Sequence, residues 1–206
     1  MFESRMQAGI MLAEKLSRLV KDKNIVVLAL ARGGVVVGKV IAELLNAKLD
    51  VLVVRKIGAP FNQEFAIGAV APKNTVYWNP EIIRGMRITK AQEIQLKKSK
   101  EKERKEKEKI FRGKKPFEIS NKTVILVDDG VATGASVLAA RKFLAKEKPK
   151  KVILAVPIIA KDTMESLKKQ FDSIVSVKVK KTFQAVGEFY RSFPQVEDEE
   201  VIKLLK

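Results

Sequence analysis

The chain has no cysteine and no histidine among its 206 residues. Without cysteine there is no disulfide framework and no thiolate chemistry. Without histidine there are no imidazole metal ligands, no Ser–His triad and no imidazole acid–base catalysis. Long apolar runs are missing too: no stretch of about 18 uncharged apolar residues occurs, so no membrane-spanning helix is expected. The first residues, MFESRMQAGIMLAEKL, mix acids into an amphipathic pattern, so no secretory signal is expected either. A soluble cytoplasmic protein without membrane partners is predicted. What the chain has in excess is positive charge, with 41 Lys and Arg against 24 Asp and Glu. A net charge of +17 suits nucleic acid, a polyphosphate substrate or the Lys/Glu-rich surface of a heat-adapted protein. The lack of Cys and His beside so many Lys and Glu leans to the last. The 46% hydrophobic content is enough for one domain with a sizeable core.

The chain is organised around residues 124–136, VILVDDGVATGAS. Four apolar residues, Val124 to Val127, suit a parallel strand covered on both faces. Asp128 and Asp129 follow, then a loop of small residues and an Ala- and Leu-rich helix at Val137–Lys146. In open α/β sheets, ligands sit beyond the carboxyl ends of strands. A small-residue loop entering a helix offers backbone N–H groups and a positive dipole end, an anion site suited to phosphate. The hydroxyls of Thr133 and Ser136 add donors. Ionised Asp128 and Asp129 only accept hydrogen bonds, so they suit sugar hydroxyls. One loop could hold a phosphate and a diol together, as in a ribose 5-phosphate. The plainer alternative is a turn with an acid pair at a helix N-terminus and no ligand. A P-loop is excluded, since its G-x-x-x-x-G-K-[ST] spacing is absent.

The strand-then-helix order recurs at 25–46 and 151–170. Ile25–Leu30 reads as a strand leading to a helix at Val35–Leu45. Lys151–Val156 reads as a strand stopped by Pro157, with a short helix at 161–170 and a strand at 173–179. Leu49–Val54 reads as another strand. This repetition predicts an α/β domain built on a parallel, doubly wound sheet. Ahead of it, residues 5–21 read as a helix whose apolar face carries Met6, Ile10, Leu12, Ala13, Leu16 and Leu19 or Val20.

Two further strand ends carry chemistry. In Ala31-Arg32-Gly33-Gly34 the glycines let backbone amides approach an anion, and Arg32 offers a planar fork for phosphate oxygens. A plain turn with an exposed Arg is the alternative. Arg55 and Lys56 place two cations at the end of the 49–54 strand, before a loop with Gly58 and Pro60. They face an anion or form a solvated pair. Asn62 and Glu64 read as loop residues, of a lid or merely polar. Ala66–Val70 and Thr75–Trp78 read as a hairpin.

Residues 80–112 are the oddest part. Residues 90–110 should be helical, yet KKSKEKERKEKEK at 97–109 has no apolar residue. Glu101–Lys105 and Glu103–Lys107 are spaced for ion pairs one turn apart. The expectation is a solvated helix projecting from the domain, with an electrostatic nucleic-acid arm as the alternative. In the tail, Phe183, Phe189, Tyr190 and Phe193 read as core, or as a stack for a planar base. A terminal helix is expected at 198–205.

The 124–136 string resembles the PRPP signature of the type I phosphoribosyltransferases: an apolar strand, two acids, a few variable residues, then T-G-small-S/T. ALARGG resembles the pyrophosphate loop of that family, which often holds a cis non-proline peptide, here Ala31–Arg32. The Arg55-Lys56 pair is similar to the orotate and adenine branches, and EFAIGAV at 64–70 resembles an uncharacterised subgroup. The resemblance implies one transferase domain over 1–206: a core at about 25–160, a small hood from 157–206 with 1–22, and a helical insertion at 80–112. It implies binding of PRPP with Mg²⁺ and transfer of the phosphoribosyl group to a nitrogenous base in nucleotide metabolism, with release of pyrophosphate. Asp128 and Asp129 would bind the ribose hydroxyls and, through ribose and water, the metal. Gly130, Val131, Ala132, Thr133, Gly134, Ala135 and Ser136 would bind the 5-phosphate. Ala31, Arg32 and Gly33 would hold the pyrophosphate, with Arg55 and Lys56 closing over it; catalysis would fall to Asp128, Asp129, Arg55 and Lys56. Hypoxanthine–guanine enzymes carry an Asp where this chain has Ala132, which argues against that base mechanism. Glu64 and Glu188 are candidates for a general base. A homodimer is expected. The rival is a regulator of the same fold that senses PRPP or nucleotides and binds RNA or DNA.

Overall fold

Short apolar runs become the central strands. The computed structural model describes residues 1–181, 183 and 185–206, and only the backbone of Glu64. β1 (Ile25–Leu30) and β6 (Thr123–Val127) lie side by side. β2 (Lys48–Leu52) flanks β1, and β7 (Lys151–Ala160) and β8 (Ser173–Lys180) extend the sheet beyond β6. Every pairing is parallel, in the order β2-β1-β6-β7-β8. Alternate side chains sort to the two faces. Val27, Ile125 and Val127 pack with α1 (Arg5–Leu19) and α2 (Gly33–Leu44), while Val26, Leu28, Val124 and Leu126 pack with α5 (Ala135–Glu147). From β1 the chain passes through α2 to one edge; from β6 it passes through α5 towards the other. The strand order therefore reverses between β1 and β6, and the loops after these two strands open onto one crevice.

A second sheet, antiparallel, follows β2: β3 (Arg55–Ala59), β4 (Asn62–Ala71) and β5 (Thr75–Trp78). The expected hairpin is there, with Lys73 and Asn74 at positive φ in its turn. Two expectations change. Arg55 and Lys56 begin a strand rather than a loop, and Asn62 belongs to β4. The cause is at Gly58, where a Cβ would lie 2.2 Å from the Gln63 carbonyl; only glycine lets the two strands close at this irregular register.

β7 also runs through Pro157 to Ala160 rather than stopping. The last β6 pairing is Val127 with Ala155, so Pro157 sits where the regular ladder is one-sided and a missing N–H is tolerated. Residues 157–180 thus complete the main sheet, with α6 (Lys161–Leu167) between β7 and β8.

The buried stripe of α1 differs from the expected one. Arg5, Ala8, Gly9, Leu12, Ala13 and Leu16 are buried, whereas Met6, Ile10 and Leu19 are exposed. Small residues win because α1 crosses α2 closely: a Cβ on Gly9 would sit 3.0 Å from that of Val40.

After the short α3 (Pro80–Gly85), α4 (Lys90–Phe111) starts at a Thr89–Gln92 capping box. It does not project. It packs along β3 and against α7 (Asp198–Leu204), with Leu96 and Phe111 against apolar clusters and with charge buried as well. Arg104, 2% exposed, donates to Glu101 at 2.9 Å and Glu108 at 2.7 Å. Glu103 pairs with Lys100 rather than Lys107, and Lys107 reaches Asp198.

The two ends of the chain meet. Phe2 bridges Tyr190, and Phe183, Phe189 and Phe193 pack around them as core. No described helix is long and apolar enough to cross a membrane.

Candidate active site

Because β1 and β6 are neighbours, the loops that follow them face each other. The Ala31–Arg32 peptide is cis. A Cβ on Gly33 would fall 1.9 Å from Asp129 Oδ2, and one on Gly34 would fall 2.9 Å from the Val127 carbonyl. The two glycines are therefore what allows the loops to touch. The second loop is pinned from β7: Val131 N–H donates to the Ile158 carbonyl at 2.9 Å, and Ala160 N–H donates to the Val131 carbonyl at 3.0 Å. Thr163 Oγ1 adds a bond to the Ala132 carbonyl. Gly134, at φ 77°, turns the chain into α5, and no side chain caps the first N–H groups of that helix.

The crevice has two lobes that share Lys56, Asp128, Asp129, Gly130, Ser136 and Val186. One, of about 310 Å³, is walled by the loop from Gly130 to Ser136 and the start of α5. The other, of about 410 Å³, is walled by Ala31, Arg32, Gly33, Arg55 and the α4 residues Lys100 and Glu103. The acid pair stands between them. Asp128 Oδ1 accepts from the Asp129 N–H at 2.9 Å. Burial, and then the neighbouring Asp129 charge, push the Asp128 carboxyl well above its ordinary range. Burial also raises Asp129, against the pull of Arg5 and Lys56. The Arg55 Nε is buried without a partner among the described residues. Arg55 also lines the second lobe, where a guanidinium suits an anion that brings its own acceptors.

The structure brings together Asp128, Asp129, Gly130 to Ser136, Ala31, Gly33, Arg55 and Lys56. Arg32 is only partly with them. Its backbone closes the loop, but its guanidinium pairs with Glu197 at 3.3 Å and Asp198 at 3.4 Å. Glu188 is elsewhere, accepting from the Ala185 N–H at 2.9 Å beside a separate hollow with Met1 and Lys178. The Glu64 side chain lies outside the described residues.

Four contributors were missed from sequence. Arg5 Nε donates to Asp129 Oδ2 at 2.8 Å, Arg5 Nη1 donates to the Pro194 carbonyl, and the guanidinium stacks 3.6 Å above Phe193. Val186 abuts Gly130, where any Cβ would meet it at 2.5 Å. Lys100 and Glu103 enter from α4. Arg5 had a signal: it shares the buried register of Ala8, Gly9 and Leu12 on α1.

Among the described residues no group of three acids could hold a metal by itself. Two carboxylates, one already bound to Arg5, suit an ion ligated mainly by substrate and water, as Mg²⁺ commonly is.

Comparison with known proteins identifies the family of the fold. The phosphoribosyl transferase domain model matches residues 3–191. Proteins from two strains of Mycobacterium tuberculosis, provisionally named phosphoribosyl transferases, are 38% identical over the whole chain. The chain spans 46% of their length. The crystal structure of TT1426 from Thermus thermophilus is similar at TM-score 0.80 and 37% identity, covering 99% of this chain and 97% of that one. A purine phosphoribosyltransferase from Pyrococcus horikoshii shares the fold at TM-score 0.52 and 17% identity, over 94% of this chain and 92% of its own. A parallel sheet whose β1 and β6 loops meet over an acid pair, matched by the family model across nearly its full length, belongs to the phosphoribosyltransferase family.

Proposed function

We propose that this chain binds PRPP with Mg²⁺ and transfers the 5-phosphoribosyl group to a nitrogenous base, releasing pyrophosphate. The observation that carries this is the acid pair set between two lobes that both suit anions. A ribose with its hydroxyls on Asp128 and Asp129 would direct its 5-phosphate to the N–H groups of Gly130–Ser136 at the α5 N-terminus. Its pyrophosphate would then enter the lobe of Ala31, Arg32, Gly33, Arg55 and Lys56. Mg²⁺, when bound, would neutralise pyrophosphate charge, near Asp128 and Asp129 and largely through water.

The reaction breaks the anomeric carbon–oxygen bond and forms a carbon–nitrogen bond to the base. Positive charge builds on the ribose while negative charge builds on the leaving pyrophosphate. Lys56 and Arg55, which line the second lobe, would stabilise the leaving group. Buried Asp128 and Asp129 would stabilise the ribose and fix its orientation. Arg5 holds Asp129 in place. Val186, seated on Gly130, would exclude water from the ribose side. Of the hood expected at 157–206 with 1–22, residues 1–8 and 185–193 would be the part over the site, with Ala185 and Val186 lining the lobe of Gly130–Ser136.

Calorimetric binding of PRPP with Mg²⁺ tests this, using the wild type and the Asp128→Asn/Asp129→Asn double variant. Micromolar binding that is lost in the variant supports the site, and a screen of bases for pyrophosphate release follows. A folded wild type that binds no PRPP would exclude the transferase reaction.

A further inference from the structure

α4 carries a second set of charges into the cleft. Lys100 and Glu103 line the lobe of Ala31, Gly33, Arg55 and Lys56, on the side of the helix that packs over β3. They are bonded to each other, Lys100 Nζ to Glu103 Oε1, at 2.8 Å. The helix is held in this position independently of them. Lys107 is tied to Asp198 of α7, which in turn reaches Arg32, and Leu96 and Phe111 pack against buried apolar clusters. Lys100 thus sits on a fixed support beside two other cations, Arg55 and Lys56.

We propose that Lys100 is a binding residue for the pyrophosphate end of the donor and that Glu103 holds it in the unliganded protein. This rests on the transferase reading of the cleft. Lys100 lines the lobe, and its side chain is only 25% exposed. Glu103, at 46%, is the solvent-facing partner. A half-exposed ion pair three residues apart is weak and easily screened. A polyanion entering among Arg55, Lys56 and Lys100 offers more charge and more acceptors than one carboxylate, so Lys100 transfers to it and Glu103 is released. Glu103 is then a competitor of the ligand, and the two residues have opposite effects on binding.

The test is calorimetry in Mg²⁺ with three probes: PRPP, inorganic pyrophosphate and ribose 5-phosphate. Lys100→Ala is expected to weaken PRPP and pyrophosphate about tenfold or more and to leave ribose 5-phosphate within about twofold. Glu103→Gln is expected to tighten pyrophosphate several-fold, and Lys100→Arg to keep most of the affinity. If Lys100→Ala is not folded by circular dichroism, Lys100→Gln, which keeps the stem, takes its place with the same expectation. Unchanged pyrophosphate binding in the Lys100 variant overturns the proposal, as does equal loss of all three probes or weaker binding by Glu103→Gln. A wild type that binds the probes while the variants do not differ removes this inference alone. A wild type that binds none of them removes the transferase reading as well.

Discussion

Arg5 and Asp129 lie 124 residues apart in the chain and meet at 2.8 Å in the cleft. The pair joins the first turn of α1 to the loop after β6. Tyr190 adds a second tie from the other end of the chain, its hydroxyl donating to the Asp129 carbonyl at 2.6 Å. One end of the chain therefore holds the Asp129 carboxylate and the other holds its main-chain carbonyl. An aspartate fixed in this way presents its remaining acceptor positions in one direction, which a diol requires.

Arg5→Ala should cost stability as well as ligand affinity. It leaves a mostly buried carboxylate without its cation and removes the stack on Phe193. About 3 kcal/mol is expected from denaturant unfolding. Arg5→Lys should recover only part, since an ammonium cannot bond Asp129 and Pro194 in a fork and also stack on a ring. With Asp129→Asn present, Arg5→Ala should cost at least about 1 kcal/mol less than alone; strict additivity would show that the pair is not coupled.

The acid pair should make the unliganded protein less stable as pH rises. Burial raises both carboxyls above the ordinary 3.8. Above that pH the unfolded chain releases these protons first while the folded chain keeps them. Stability then falls until the folded groups ionise too, and the loss persists at neutral pH. Each unit of such a shift corresponds to about 1.4 kcal/mol. Asp128→Asn keeps the acceptor for the Asp129 N–H and removes the charge. Its melting temperature should exceed that of the wild type at pH 7, with the gain disappearing as pH approaches 4. Wild-type affinity for PRPP should fall as pH is lowered through the raised range. A melting curve for Asp128→Asn that is below wild type at every pH would contradict this.

The sequence was most legible where one local pattern carries both structure and chemistry. VILV, the acid pair and the small-residue loop announce a buried strand, a turn and a helix start within thirteen residues, and the structure has them in that order. Arg5 was not legible in the same way, because its partner is set by how α1 docks; the only trace is a cation in an otherwise small and apolar stripe. The α4 helix misled for a different reason. Burial was sought as an apolar face, whereas Arg104 is buried by two glutamates of its own helix. The spacing of Lys100, Glu103 and Lys107 places them on one side, but nothing local says what that side meets. Arg55 and Lys56 were placed at the right strand end, yet the sequence between them and Asn62 hid a strand pair that closes at Gly58.

Gly33→Ala should separate loop geometry from helix propensity. The new methyl would overlap the Asp129 carboxylate and crowd Arg5 at 3.0 Å, so the loops must part. Loss of PRPP binding by an order of magnitude or more is expected, with destabilisation of about 1–3 kcal/mol. Gly85→Ala, in α3 with nothing within 4 Å of its Cβ, is the control, expected to be neutral or stabilising by up to about 1 kcal/mol. Equal behaviour of the two variants would mean that close contact at Gly33 is unimportant.

Two cations that line the lobe of the Ala31–Gly33 turn, Lys56 and Arg32, should differ in their importance for binding. Lys56 lines both lobes, and its charge bears on Asp128 and Asp129. Arg32 has its guanidinium committed to Glu197 and Asp198 at the edge of α7, so its contribution to the cleft is chiefly its backbone. Lys56→Ala is therefore expected to weaken pyrophosphate binding about tenfold or more, and Arg32→Ala by less than about threefold. Removing the latch should change that order: in Asp198→Ala with Glu197→Ala, Arg32 is free to turn inward, and a further Arg32→Ala substitution should then cost more affinity than it does in the wild type. Calorimetric titration of the wild type and the four variants with pyrophosphate and Mg²⁺ decides between the alternatives. If Arg32→Ala is as damaging as Lys56→Ala in the otherwise unaltered chain, the Arg32 guanidinium leaves its acidic partners whenever the anion arrives, and the contacts to α7 are only a resting position.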